Sequence, residues 1–215
     1  DHHTFVDCNK IRYDDSQLIE NLLKIETCST TDSLRGIEGN SAKCYFDVFN
    51  ELILKQKDTF FLSERNRRPP LDNMNALLSL LYSLLSHDVE SALETVGLDP
   101  YVGFYHTDRP GRPSLALDMM EELRPFLSDR LALNLVNLQQ IGKDDFLRKE
   151  GGGTLMTEKG RNEVLKAWHK RKQDEITHPF LGEKIAIGLL PYAQALLMAR
   201  FLRGDIDGYP PFFMN

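Results

Sequence analysis

Between Gly103 and Pro125 the sequence GFYHTDRPGRPSLALDMMEELRP sets an imidazole, His106, at the end of an apolar run. A loop rich in Pro, Gly and Arg follows, and a helix then opens at Ser114 carrying Asp118, Glu121, Glu122 and Arg124. Asp118 and Glu121 stand three apart and share a helical face, with Leu115, Leu117, Met119, Met120 and Leu123 supplying the apolar positions around them. Carboxylates at the edge of a core, together with an imidazole, make half of a site for a divalent cation. A plainer reading stands beside this one: an acidic stripe on an amphipathic helix faces water, and a lone histidine packs against its neighbours.

The elements that must position these groups read as helices. Leu18, Ile19, Leu22 and Leu23 recur at helical spacing between Ser16 and Ile25. The polar cluster CSTTDS then offers an N-cap at Thr31 or Asp32 for a helix over RGIEGNSAKCYFDVFNELIL, whose apolar face is Leu34, Ile37, Ala42, Tyr45, Phe46, Phe49 and Ile53. In it Glu38 lies between Gly36 and Gly39, each costing roughly 1 kcal/mol of helix stability relative to Ala. That cost predicts a close approach to the backbone, either by a ligand or by a tightly packed neighbour. After the basic loop SERNRRPP, a long helix is expected from about Asp72 to Val96, capped by Gly97 and apolar on more than one side, as befits the central buried element of a helical bundle. Pro125 to Leu138 continues as an amphipathic helix. Gly151, Gly152 and Gly153 suit a hairpin or mobile loop between about 146 and 157, without the Gly-Lys-Ser/Thr ending of a phosphate-binding loop. Two further helices are expected, Glu158 to about Glu175, with a basic patch at His169 to Lys172, and Leu181 to Leu202. The tail DIDGYPPFFMN reads as irregular. The fold class is thus all-α, with residues 1–30 a linker and first helix, 31–205 the helical domain and 206–215 the tail.

Composition bounds the function. A chain of 215 residues with 41% hydrophobic content can bury a real core. No apolar run approaches the roughly 20 residues that span a bilayer, and the start lacks the layout of a signal peptide, so a cytoplasmic protein is expected. The three cysteines, Cys8, Cys28 and Cys44, are odd in number and form no Cys-x-x-Cys pair, which predicts reduced, partly buried thiols. A net charge of −6 argues against indiscriminate binding of nucleic acid but leaves room for a local basic patch.

Three separated segments, RGIEG at 35–39, the helix DNMNALLSLLYSLL, and GLDPYVGFYHTDRPGRPSLALDMMEELRP, occur in the order found in one family. Over about residues 30–205 the chain resembles the CRISPR-associated integrase, the nuclease subunit of the machinery that inserts new spacers into CRISPR arrays. The YPPF tail is similar to that of the subtype I-C branch. The resemblance implies an all-α domain in which Glu38, His106 and Glu121 bind one divalent cation, Mn2+ or Mg2+, with Asp118 at a further acidic position beside it. Asn75 and Tyr82 match an Asn and a Tyr of the family's central helix. It also implies partners: double-stranded and branched DNA, including CRISPR repeat and spacer ends, a second copy of the full-length protein, and a small second acquisition subunit. Family members carry a β-rich N-terminal domain that residues 1–30 do not supply, so a fragment of the whole protein is expected.

Two carboxylates and an imidazole form a mixed oxygen and nitrogen site with open positions, which suits manganese or magnesium better than closed tetrahedral zinc, and the imidazole favours manganese. Such an ion polarises a phosphodiester; attack by water gives cleavage, and attack by a 3′-hydroxyl gives strand transfer. Arg109, Arg112 and Arg124 are candidates for phosphate contacts, each with a surface ion pair as the plain alternative. Two rival readings remain: a helical interaction module without catalysis, and another metal-dependent phosphohydrolase, for which the adjacent His87 and Asp88 lack further ligands.

Overall fold

A computed structural model describes residues 8–66, 68–107 and 109–213. It is mostly helical, with 57% helix and 6% strand. Seven α-helices are described: α1 (Cys8–Glu26), α2 (Thr31–Phe49), α3 (Asn73–Thr95), α4 (Ser114–Met120), α5 (Arg130–Asn137), α6 (Glu158–Gln173) and α7 (Leu190–Leu202). Four three-residue strands form two antiparallel hairpins, β1 (Phe146–Arg148) with β2 (Thr154–Met156), and β3 (Glu175–Thr177) with β4 (Lys184–Ala186). Among the described residues no helix is long and apolar enough to cross a membrane. The chain divides into two compact units, one made of the stretch up to Ala76 with Val136–Thr157, the other of Leu77–Leu135 and everything from Glu158 on.

In the first unit α2 starts at Thr30, whose side-chain oxygen accepts the Ser33 N–H at 3.2 Å, one residue before the expected cap. Phe49, Ile53, Phe60, Leu62, Met74, Ile141, Phe146 and Met156 are buried, and Phe60 meets Phe146 edge-on at 5.5 Å. Asn137 accepts the Leu54 N–H at 2.7 Å and donates to the Leu52 carbonyl at 2.9 Å, stitching the strand-like segment after α2 to the end of α5. The expected hairpin at 146–157 is present. Its Gly152 adopts φ +83°, and a side chain at Gly153 would press on Pro69 at 3.0 Å. The crowding predicted at Gly36 and Gly39 is not seen: a Cβ at either would meet nothing within 4 Å among the described residues. Asn75 is wholly buried and structural. It accepts from the Arg65 guanidinium at 2.6 Å and the Asn66 N–H at 3.1 Å, and donates to Asp72 at 2.6 Å.

The second unit is built on α3, which fulfils the expectation for 72–96. Leu77, Leu78, Leu81, Leu85, Val89 and Leu93 are buried along it. It closes with a Schellman arrangement, in which Leu98 N–H donates to the Leu93 carbonyl at 2.9 Å, Gly97 N–H to Glu94 at 3.0 Å, and Gly97 takes φ +82°. Asp88 ties α3 to α6 by accepting from Trp168 Nε1 at 3.2 Å and Lys172 Nζ at 2.8 Å, while the His87 side chain is 80% exposed. That adjacent pair is therefore scaffold and surface.

The all-α expectation needs correction between 174 and 189. Instead of two helices nearly abutting, α6 stops at Gln173, the β3–β4 hairpin follows, and α7 starts only at Leu190. The turn of that hairpin is made by the buried His178, whose Nδ1 accepts the Phe180 and Leu181 N–H groups at 3.3 and 3.2 Å. Pro179 fits no helix interior, and Gly182 at φ +68° completes the reversal. The expected helix from Pro125 is also not uniform, since Pro125–Asp129 forms a π-helical turn before α5. Cys28 and Cys44 are free and half-buried, as expected; the Cys8 side chain lies outside the described residues.

Candidate functional site

The loop from Pro100 to Thr107 and the helix α4 hold each other. Pro100 offers its carbonyl to the N–H groups of Leu115 and Ala116 at 2.9 and 3.2 Å, satisfying donors that the first turn of a helix leaves without partners. In return Asp118 reaches back from α4 and accepts three consecutive backbone N–H groups of the loop: Phe104 at 2.8 Å, Tyr105 at 3.0 Å and His106 at 2.9 Å. Gly103 lies so close to α4 that a Cβ there would stand 2.7 Å from Ser114 Cβ and 2.8 Å from the Asp118 carboxylate. Only glycine fits this approach.

Asp118 also engages the His106 ring, with Nδ1 at 2.6 Å from Oδ1. A carboxylate already accepting three N–H groups acts here as acceptor, so the ring donates from Nδ1 and Nε2 is left for another partner. The Asp118 side chain is 0% exposed and that of His106 18% exposed. Tyr105 packs edge-on to the imidazole at 5.9 Å, with ring planes 82° apart.

Glu121 lies just past the end of α4, where its N–H bonds to Asp118 in a tightened turn at 3.4 Å. Both of its carboxylate oxygens meet the Arg124 guanidinium, at 2.8 and 2.6 Å. Arg124 in turn lies over the Tyr82 ring at 5.3 Å, and the Tyr82 hydroxyl donates to Asp129 at 2.6 Å. The expected pairing of Asp118 and Glu121 on one helical face thus resolves into two neighbouring tasks, one carboxylate on the loop and one on an arginine. Arg109 is exposed and Arg112 half-buried; among the described residues neither guanidinium has a carboxylate partner. Glu38 belongs to the other unit, on an exposed turn of α2.

Sequence reasoning passed over Glu122. Its carboxylate accepts from the Tyr209 hydroxyl, from Gln194 Nε2 at 3.0 Å and from the Phe212 N–H at 2.6 Å. Burial first, and then the Glu122 charge, push the Tyr209 hydroxyl far up from its ordinary range, so it remains a donor. Gln194 is itself wholly buried and accepts from His178 Nε2 at 3.0 Å. The tail is irregular, as expected, yet tied through this network to the turn that carries Glu121. The Tyr-Pro-Pro-Phe run was its one sequence signal.

The donor chemistry at His106 suits a divalent cation, because a carboxylate on one ring nitrogen is the usual companion of a metal bond at the other. Among the described residues, no three of His, Cys, Asp or Glu gather into a group that could hold one.

Residues 6–170 match the family model described as CRISPR associated protein Cas1. A curated relative, CRISPR-associated endonuclease Cas1 2 of Rhodospirillum rubrum, is 59% identical over 182 residues, covering 85% of this chain and 53% of that protein. The chain spans about half the length of that relative. Among solved structures, a Cas1 protein from Thermotoga maritima is 31% identical with a TM-score of 0.78, covering 88% of this chain and 57% of the other. A chain of the Cas6-RT-Cas1–Cas2 complex is 26% identical with a TM-score of 0.81, covering 95% of this chain and 22% of that one.

Proposed function

The chain belongs to the CRISPR-associated Cas1 family, and on that premise we propose that it supplies the catalytic part of a divalent-metal-dependent DNA endonuclease and integrase, which inserts new spacers into CRISPR arrays. The observation that carries the reading is the Asp118–His106 pair, with Nδ1 held at 2.6 Å, which leaves the Nε2 lone pair for an electrophile. His106, Glu121 and Glu38 are the proposed holders of Mn2+ or Mg2+, with Asp118 beside them. Bound there, the ion would polarise the scissile phosphodiester and stabilise charge on the attacking and leaving oxygens.

The chain's own residues do the rest. Asp118 keeps the proton on Nδ1 and fixes the ring by holding the backbone on which it is mounted. Arg124 restrains the Glu121 carboxylate, which would have to share its oxygens between the guanidinium and a bound cation. Arg109 and Arg112 bind phosphates and offset locally the net charge of −6. The nucleophile is water for cleavage or a DNA 3′-hydroxyl for strand transfer, the latter being the physiological reaction on branched DNA, repeat and spacer ends. A homodimer of the whole protein and a small second acquisition subunit complete the assembly in the prokaryotic cytoplasm; the likeness to a chain of a complex that includes Cas2 supports the latter partner.

The test is an assay of the whole protein with its small partner on branched DNA in Mn2+ or Mg2+. Losing one ligand costs several kcal/mol of barrier, so His106→Ala is expected to lose at least about a hundredfold in rate. Equal rates for His106→Ala and wild type contradict the mechanism.

A further inference from the structure

We propose that the loop tip Tyr101–Phe104 is a stacking surface for an unpaired DNA base beside His106, with the Phe104 ring as the contact. The inference rests on the DNA-processing reading above. Tyr101 is 44%, Val102 63% and Phe104 69% exposed, an apolar cluster on a segment whose neighbours are otherwise accounted for. An exposed phenylalanine on a loose loop would mean little, but this backbone is fastened on both sides. The Phe104 N–H and the next two N–H groups end on Asp118, Gly103 is wedged against Ser114, and Pro100 accepts two N–H groups of α4. The ring is therefore presented in advance, and little ordering has to be paid when a partner arrives.

Chemistry around the tip selects the partner. Tyr105 turns toward the imidazole and is half-buried, which leaves Phe104, two residues from His106, as the outward aromatic. On one side stand acids: the Tyr101 hydroxyl donates to Glu90 at 3.2 Å, and Asp99 accepts the Tyr101 N–H at 2.9 Å. Five and eight residues further along the chain from Phe104 come the cations Arg109 and Arg112. A strand whose phosphates meet these arginines is held within a few residues of the exposed Phe104 ring, and its charge is repelled by the acids at Tyr101. A flat apolar face accepts any base, so the contact selects for an unpaired nucleotide and not for a sequence.

The experiment places 2-aminopurine at each of the three nucleotides next to the reacting 3′ end of a frayed DNA and measures fluorescence on binding by the intact protein. Quenching is expected at one position for wild type and Phe104→Tyr. Phe104→Leu, which keeps apolar bulk but no flat ring, is expected to lose that quenching and to bind frayed DNA roughly 5- to 100-fold more weakly. Quenching and affinity unchanged in Phe104→Leu would overturn the stacking role while leaving DNA binding intact. Wild type that binds no DNA would remove both readings. An oligomeric state altered in Phe104→Ala, with quenching retained, would assign the tip to a protein contact and also overturn the proposal.

Discussion

Asp118 accepts both the ring Nδ1 of His106 at 2.6 Å and its main-chain N–H at 2.9 Å, so one side chain sets where the imidazole sits and which nitrogen it presents. Replacing it by Asn puts an NH2 where an oxygen accepts, and at least one loop N–H loses its partner. Hydrogen bonds to a charged group contribute about 1.5–3 kcal/mol each. Hydrogen exchange at residues 104–106 is expected to quicken by roughly ten- to a hundredfold in Asp118→Asn, with α3 and α6 protected as in wild type. Unchanged exchange at these three amides would show that the loop is held by something else.

Gly103 and the α2 glycines give opposite expectations for the same substitution. At Gly103 a methyl group would lie 2.7 Å from Ser114 Cβ and 2.9 Å from its backbone carbon, and neither can step aside without moving α4. Gly103→Ala is expected to cost about 1–3 kcal/mol. Among the described residues Gly36→Ala and Gly39→Ala meet no atom within 4 Å, and they gain helix propensity, so each is expected to stabilise by about 0.5–1 kcal/mol. Urea unfolding of the three variants decides, and the same sign for all would refute the packing described.

What could be read ahead of the structure followed chemical period. The long apolar run with Gly97 behind it gave α3 to within a residue at each end, and three glycines marked the β1–β2 hairpin. The β3–β4 hairpin escaped because three-residue strands are too short to display an alternation, and because its turn is made by the His178 side chain on the backbone. At the site, His106 and the acidic residues of 118–122 were visible as types. Their division of labour was not: it depends on α4 ending at Met120, which sends Glu121 to Arg124, and on a loop conformation that brings three N–H groups to a carboxylate twelve residues and more away.

The Asp72 carboxyl is raised above the ordinary aspartate range, chiefly by burial, despite accepting the Asn75 N–H at 2.7 Å as the cap of α3. The folded state therefore holds the Asp72 proton more tightly than the unfolded state. Its contribution is fullest below the ordinary value near 3.8 and is lost as pH rises through the raised one. Stability of wild type relative to Asp72→Asn is expected to fall across that window and flatten above it. At neutral pH, Asp72→Ala is expected to cost about 1–2 kcal/mol through loss of the cap. Parallel stability curves for wild type and Asp72→Asn from pH 3 to 7, on the order of the reference range, would contradict this.

Tyr209→Phe removes one of three donors to the half-buried Glu122 carboxylate and, among the described residues, leaves its Oε1 with Gln194 alone. The expected loss is about 1–2 kcal/mol, with earlier proteolysis of the tail after Asp207, because Phe212 is held by the same carboxylate. Thermal melting and limited proteolysis check it. A tail equally resistant in Tyr209→Phe would place the anchor in the Phe126–Phe212 ring contact at 5.5 Å.

His106 Nε2, Glu121 and Glu38 are proposed above to share one divalent ion. Anomalous scattering from crystals of the whole protein soaked in Mn2+ tests it most directly. One peak is expected about 2–2.3 Å from His106 Nε2 and from carboxylate oxygens of Glu121 and Glu38, absent in His106→Ala crystals of unchanged fold. A manganese peak elsewhere, with the Glu121–Arg124 pair intact and His106 Nε2 facing no ion, would contradict it.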